Sequence, residues 1–231
     1  MRAMILAAGR GQRMRPLTDT IPKPLLVAGG KPLIVWHVER LVRAGITEII
    51  INHAWLGMQI ECTLQDGRQY GAAITYSAES PALETAGGIA KALDFFHGRP
   101  FLVVNSDIWC DWDPVHARRL GQMLLNEQKL AWLLLADNPP HHPAGDFLLN
   151  AAGLVVDRAS PEGGAPLTFT GIGIYQPALF ENLNKKQPAP LAPLLRQAMR
   201  QNVAAGARHA GKWTDVGTPG RLAALDQALS G

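Results

Sequence analysis

The first 136 residues alternate between two patterns of apolar spacing. Short continuous apolar runs at Met4 to Ala8, Ile46 to Ile51, Ala72 to Tyr76, Phe101 to Val104 and Ala131 to Ala136 have the length of buried strands. Between them, apolar positions recur three and four residues apart. Leu33 to Ala44 and Thr85 to Phe96 read most clearly as helices, with Pro32 suited to a first helical position. Such alternation predicts βαβ units: a Rossmann-like α/β sandwich of three layers, with a mostly parallel central sheet.

After Asp137 the pattern breaks into Pro139-Pro140-His141-His142-Pro143, short strand-like pieces and Gly163-Gly164. This predicts a small hairpin insertion over the carboxyl edge of the sheet, where open α/β sheets bind ligands. Helical spacing resumes at Pro190 to Gln201 and Pro219 to Leu229. No repeat is visible, and residues 1–231 read as one domain.

Composition narrows the partners. Hydrophobic residues make up 47% and charged residues 18% of 231, enough apolar side chains for one large core. A net charge of +3 is too small to announce a nucleic-acid or membrane partner. Cys62 and Cys110 lack metal-binding or disulfide spacing, and no apolar run approaches the roughly 20 residues of a membrane span or forms a signal-peptide core. The expectation is a reduced, cytoplasmic protein.

The segment Leu6-Ala7-Ala8-Gly9-Arg10-Gly11-Gln12-Arg13-Met14-Arg15-Pro16-Leu17-Thr18, closing on Pro22-Lys23-Pro24, carries the densest chemistry. A strand that stops at Gly9 and turns through Gly11 lets backbone N–H groups approach phosphate oxygens. Arg13 and Arg15 add forked donors, and Lys23 adds a point charge held in extended backbone between two prolines. The segment lacks the third glycine of a dinucleotide fingerprint and the Gly-Lys-Ser/Thr ending of a Walker loop. It reads as a triphosphate cradle of another kind.

Asn105-Ser106-Asp107 follows a buried-strand signal, at the point where a carboxylate leaves the sheet for the ligand crevice. Asp215, in Trp213-Thr214-Asp215-Val216-Gly217, sits at a second strand-to-turn transition. Two aspartates converging there would suit Mg²⁺, a hard cation that takes carboxylate and phosphate oxygens. Asp113, followed by Pro114, reads as a helix cap, and Asp111 stands as an alternative ligand. His141 and His142 lack paired ligand spacing and read as solvated loop residues. The tryptophans read as core or pocket wall.

The run from Leu6 to Pro24 resembles the signature of the sugar-1-phosphate nucleotidylyltransferases, Gly-x-Gly-x-Arg-(Leu/Met) followed by Pro-Lys-Pro. Glu84-Thr85-Ala86-Gly87-Gly88, Asn105-Ser106-Asp107, Thr170-Gly171-Ile172-Gly173-Ile174-Tyr175 and Trp213-Thr214-Asp215-Val216-Gly217-Thr218-Pro219 extend the resemblance over nearly the whole chain. The resemblance implies a GT-A-like fold and transfer of a nucleotide from a nucleoside triphosphate to a sugar 1-phosphate. Arg13, Lys23, Asp107 and Asp215 would be catalytic, with one or two Mg²⁺ ions on the two aspartates. Residues 1–136 would mainly bind the nucleotide, through Ala8, Gly9, Gly11, Gln12, Arg13, Lys23, Ser80, Ala82, Thr85 and Gly87. Residues 137–231 would mainly complete the sugar-phosphate side, where Asn105, Gly145, Asp146, Glu162 and Thr170 match family positions.

One departure stands out. Many relatives carry Glu-Lys-Pro before the Thr-Gly strand, whereas this chain has Glu162-Gly163-Gly164. The lysine expected at the sugar phosphate is missing, and a second Mg²⁺, Arg208 or Lys212 is the expected substitute. The short form with Glu-Thr-Ala-Gly-Gly-Ile and Gly-Asp-Phe most resembles the uridylyltransferases of cell-wall recycling that use UTP and N-acetylmuramic acid 1-phosphate. Mannose-1-phosphate guanylyltransferases are the near alternative, and a non-catalytic nucleotide-sugar sensor on the same fold is another. No β-helical second domain is expected, and the sequence leaves the oligomeric state open.

Overall fold

The computed structural model describes residues 1–158 and 164–230. Chain order runs β1 (Ala3–Ala7), α1 (Leu33–Arg43), β2 (Glu48–His53), α2 (Gly57–Leu64), β3 (Ala73–Ala78), α3 (Glu84–Lys91), β4 (Phe101–Asn105) and β5 (Ile108–Cys110). Then follow α4 (Ala117–Asn126), β6 (Ala131–Ala136), β7 (Phe147–Leu149), β8 (Val155–Asp157), β9 (Thr168–Tyr175), α5 (Leu191–Arg200), β10 (Ala204–His209), β11 (Trp213–Asp215) and α6 (Pro219–Ser230). A two-residue ribbon, Val27–Ala28 with Lys31–Pro32, precedes α1.

Among the described residues, seven strands form one sheet in the order β10-β6-β9-β4-β1-β2-β3. Every neighbouring pair is parallel except those of β9, which runs antiparallel to β4 and β6. The expected α/β sandwich is therefore present, with β9 reversed. Alternation along the strands feeds two cores. Ile5, Trp132 and Leu134 face a layer with Val38, Ile60 and Leu124, while Met4, Leu133 and Leu135 face one with Ile89 and Leu195. β6 is buried along its whole length, which explains its unbroken apolar run.

Helix ends differ from expectation by short steps. Pro32 is the residue before α1 rather than its first position, and α1 stops at Arg43 because Gly45 takes a left-handed conformation. α3 ends at Lys91, where Thr85 to Phe96 had suggested one longer helix. The chain tightens into a 3₁₀ turn at Leu93–Phe96, and the Phe96 ring stacks on Phe101 at 3.7 Å. Asp113 does cap the following turn, accepting from the Val115 amide at 2.9 Å. The insertion is the antiparallel hairpin β7/β8, tied back by bridges Phe147 to Leu167 and Leu154 to Ala205. No helix among the described residues is long and apolar enough to cross a membrane.

His37 pins α1 to the site. It is buried, and its Nε2 lies 2.9 Å from the Ile108 carbonyl, next to Asp107. Burial pushes the imidazole down to about 4, so the folded protein keeps it neutral where an unfolded chain would protonate it. This lowered value contributes stability that is complete above the unfolded value of about 6.5 and is lost as pH falls toward 4. Denaturant unfolding between pH 7.5 and 4.5 is expected to show His37→Gln less acid-sensitive than wild type by roughly 3 kcal/mol across that window. An unchanged slope would overturn the assignment.

Candidate active site

β1 ends at Ala7, and the chain then follows the wall of a cleft of about 350 Å³ through Ala8, Gly9 and Arg10. Opposite stand Ala82, Glu84 and Thr85 at the start of α3, with Lys23, Asn105 and Asp107 at the inner end. Gly11 takes φ +67°, and a β-carbon there would lie 3.2 Å from the Lys23 Cβ. The glycine thus lets the lysine stem pass beneath the loop. Lys23 is only 8% exposed, and its Nζ lies 2.5 Å from Asp107 Oδ2.

The three arginines of the loop divide their work. Arg10 stacks on Trp55 at 3.7 Å and donates to the Thr18 carbonyl, and both Arg10 and Arg15 pair with Asp19. Arg13 is exposed and makes no ion pair among the described residues. A forked donor left uncommitted suits a phosphate chain.

The cleft floor rests on a buried polar network. The Ala7 amide donates to Asn52 Oδ1 at 3.0 Å, Asn52 Nδ2 donates to Glu79 Oε1 at 2.7 Å, and Glu79 Oε2 accepts from the Leu83 amide at 2.7 Å. These bonds lock the ends of β1 and β2 to the loop that enters α3. Gly88 makes room for them, since a β-carbon there would lie 2.5 Å from Glu79 Oε1.

Asp107 and Asp215 come together on a second ribbon, in which β5 pairs with β11 and Asp215 stands opposite Ile108. The Val216 amide donates to the Asp107 carbonyl at 2.8 Å, and Trp213 Nε1 donates to the Thr170 carbonyl at 2.9 Å, anchoring the ribbon to β9. Both carboxylates are part-exposed, and both are held by nitrogen groups. Lys23 holds Asp107; His141 Nε2 lies 2.7 Å from Asp215 Oδ1 and Arg221 Nη2 lies 2.9 Å from Asp215 Oδ2. The Arg221 contact is an ion pair without hydrogen-bond alignment, and its Nε is buried with no partner among the described residues. Two hard oxygen donors, Asp107 in the turn before β5 and Asp215 on β11, fit a divalent cation that would share its remaining positions with phosphate oxygens.

A second cavity of about 470 Å³ adjoins the first along Leu6, Glu84, Thr85 and Asn105. Phe147, Phe169, Tyr175, Leu191 and Leu195 form its apolar walls, and Asp146 is its acidic rim. Gly171, at φ +84°, allows the Asn105 side chain to cross beneath β9, because a β-carbon would lie 2.7 Å from Asn105 Nδ2. The Asp146 carboxylate accepts from the Phe169 amide at 2.9 Å and meets His142 Nε2 at 3.0 Å, so it braces the insertion against β9.

A profile described as nucleotidyl transferase matches residues 2–144. N-acetylmuramate alpha-1-phosphate uridylyltransferase of Neisseria meningitidis serogroup B is 55% identical over 232 aligned residues, covering 100% of this chain and 99% of that one. The chain belongs to the nucleotidyl transferase family. A more distant relative, mannose-1-phosphate guanyltransferase of Schizosaccharomyces pombe, is 41% identical over only 48% of this chain and 32% of its own. HddC from Yersinia pseudotuberculosis complexed with GMP-PN shares the fold at a TM-score of 0.78, with 18% identity and 98% of each chain covered.

Within this nucleotidyl transferase, Ala8, Gly9, Lys23, Ala82, Thr85, Asn105 and Asp107 line the first cleft, Asn105 and Asp146 line the second, and Asp215 lines neither. Others sit elsewhere. Gly11, Gln12, Arg13 and Ser80 lie outside the cleft lining, Gly11 acting through Lys23. Gly87 faces away from the cleft. Its amide donates to the Ala189 carbonyl, and a β-carbon would lie 2.7 Å from the Gln187 carbonyl oxygen. Gly145 makes room for Asn138, and the buried Thr170 donates its hydroxyl to the Leu134 carbonyl, so Gly171 is the residue that reaches the cavity. Glu162 and Gly163 lie outside the described residues.

Neither of the basic residues expected to stand in for the missing lysine lines either of these cavities. Arg208 forms a two-pronged pair with Asp137 at 2.6 and 2.8 Å, holding that carboxyl below its usual range, and Lys212 lines neither cavity. Asp111 turns to His209 at 2.7 Å and to the Lys212 amide at 2.9 Å, and likewise lines neither. The two histidines read as solvated loop residues are part-exposed, and they also meet Asp215 and Asp146. Asn52, His141 and Arg221 were missed as site residues. Their partners lie 45, 74 and 6 positions away (Ala7, Asp215 and Asp215), and no local pattern announces any of the three contacts.

Proposed function

We propose that the protein transfers UMP from UTP to N-acetylmuramic acid 1-phosphate, forming UDP-N-acetylmuramic acid and pyrophosphate. The full-length match at 55% identity to a uridylyltransferase of that substrate carries this reading. The paired cavities support it. The first, beside Lys23 and Asp107, takes the triphosphate, with the base between Ala8-Gly9 and Ala82-Thr85. The larger second cavity takes the sugar, its apolar walls facing the N-acetyl and lactyl groups.

In the reaction, an oxygen of the sugar phosphate attacks the α-phosphorus while the bond to the β-phosphate breaks. Pyrophosphate leaves with the bonding electron pair. The attacking phosphate is already anionic at neutral pH, so the site needs alignment and charge compensation rather than a general base. Lys23 leaves Asp107 for the α-phosphate, and Arg13 holds the departing pyrophosphate. Asp107 and Asp215 would hold Mg²⁺, which would offset charge that builds up on the phosphate oxygens. The reading places the protein in the cytoplasm, in cell-wall recycling.

The deciding experiment measures pyrophosphate release over four nucleoside triphosphates and several sugar 1-phosphates, with Mg²⁺ and with chelator. UTP with N-acetylmuramic acid 1-phosphate is expected to give the highest kcat/KM, and chelation to abolish turnover. Preference for GTP with mannose 1-phosphate would overturn the substrate assignment, and no release from any pair would leave a non-catalytic binder.

A further inference from the structure

We propose that the Glu84 carboxylate selects the nucleobase by accepting a hydrogen bond from a ring N–H, admitting uracil and rejecting cytosine. The inference rests on the function proposed above, which sets the base between Ala8-Gly9 and Ala82-Thr85, and it names the group that reads the base edge. Uracil carries a hydrogen on N3, and guanine carries one on N1. At the same edge cytosine and adenine present a lone pair, which a carboxylate repels.

Glu84 opens α3 and lines the first cleft on the wall opposite Gly9. It is exposed, and its carboxylate makes no hydrogen bond or ion pair among the described residues. The other polar side chains of the cleft are committed or stand at its phosphate end. Arg10 lies on Trp55 and is held by the Thr18 carbonyl and Asp19, Lys23 meets Asp107, and Asn52 has Oδ1 on the Ala7 amide and Nδ2 on Glu79. Asn105 and Ser106 directly precede Asp107. Thr85 and Glu84 remain at the base end. A hydroxyl donates and accepts alike and does not tell uracil from cytosine, whereas a carboxylate only accepts. The backbone points the same way. Glu84 takes φ +57°, a left-handed conformation that costs little only for glycine. Of the six non-glycine residues with positive φ among the described residues, Glu84 is the one that lines either cavity. Such a conformation persists where the side chain has work to do. Glu84 also borders the second cavity, so the sugar is the competing partner.

The test compares UTP with CTP, which differ only at this edge, in wild type, Glu84→Gln and Glu84→Gly. Turnover is measured with whichever sugar 1-phosphate wild type uses best, and affinity by calorimetric titration of each triphosphate with Mg²⁺. Wild type is expected to favour UTP over CTP about a hundredfold or more in kcat/KM. Glu84→Gln, whose amide can donate to cytosine N3, should narrow that ratio about tenfold or more and raise turnover of CTP itself. Glu84→Gly suits the φ of +57° and has no side-chain acceptor, so it should fold as wild type does and lose discrimination through weaker UTP binding. The sugar-phosphate KM should stay within about twofold in both variants. An unchanged UTP-to-CTP ratio in both would overturn the proposal. So would a raised sugar-phosphate KM with that ratio intact, which would assign Glu84 to the second cavity. A wild-type preference for GTP with mannose 1-phosphate would overturn the substrate assignment and support this proposal, since guanine also carries a ring N–H. A wild-type preference for ATP or CTP would overturn the proposal itself. If no pair is turned over, the calorimetric UTP-to-CTP ratio decides by the same criteria.

Discussion

Asp107→Asn is expected to lower kcat/KM by roughly a thousandfold, the scale on which loss of one aligned charge-stabilising group affects a transition state. Asparagine keeps the shape of the side chain and can still accept from Lys23, so the contact at 2.5 Å survives while the negative charge does not. What is lost is one of two anionic oxygen donors to the cation. Steady-state pyrophosphate release over a Mg²⁺ series checks this, and the half-saturating Mg²⁺ should rise as kcat falls. The side chain is 38% exposed, and an ion pair that wet contributes about 1 kcal/mol or less. The melting temperature should therefore move little, and turnover within tenfold of wild type would remove Asp107 from the cation site.

Lys23→Ala is expected to reduce kcat by about 10² to 10³, with a smaller effect on the triphosphate KM. The lysine is 8% exposed and its stem packs against Gly11. Arginine is not a conservative replacement. Its planar fork replaces a compact ammonium at a buried position, and Lys23→Arg should recover little of the loss. Single-turnover measurements at saturating triphosphate separate the chemical step from binding. A defect confined to triphosphate affinity would show that Lys23 only anchors the nucleotide.

Local physics made the scaffold legible. β1 and β6 are apolar runs of strand length whose alternate residues feed opposite cores, and Asp113 with Pro114 spells out its own cap. Lys23 and Asp107, 84 positions apart, were assigned to one site by their match to family motifs, and their direct contact was not expected. Contacts with no motif on either side went unread. Nothing near His141 indicates that Asp215 faces it, and nothing near Arg208 indicates that Asp137 neutralises it. Glycines were the most ambiguous letters. Gly87, expected on the nucleotide side, accommodates the chain at 187–189, and Gly88 beside it accommodates the Glu79 carboxylate. A missing side chain signals close approach without naming what approaches.

The carboxylate ribbon has a consequence for synthesis on the ribosome. Its strands, Ile108–Cys110 and Trp213–Asp215, are separated by about half the chain, whereas the loop from Gly9 to Lys23 lies in the first two dozen residues. A nascent chain therefore has that loop long before it has Asp215. Until β11 emerges and pairs with β5, Asp107 stands without the second carboxylate of the ribbon. Order of emergence thus leaves the carboxylate ribbon to be completed near the end of synthesis, after the residues that line both cavities.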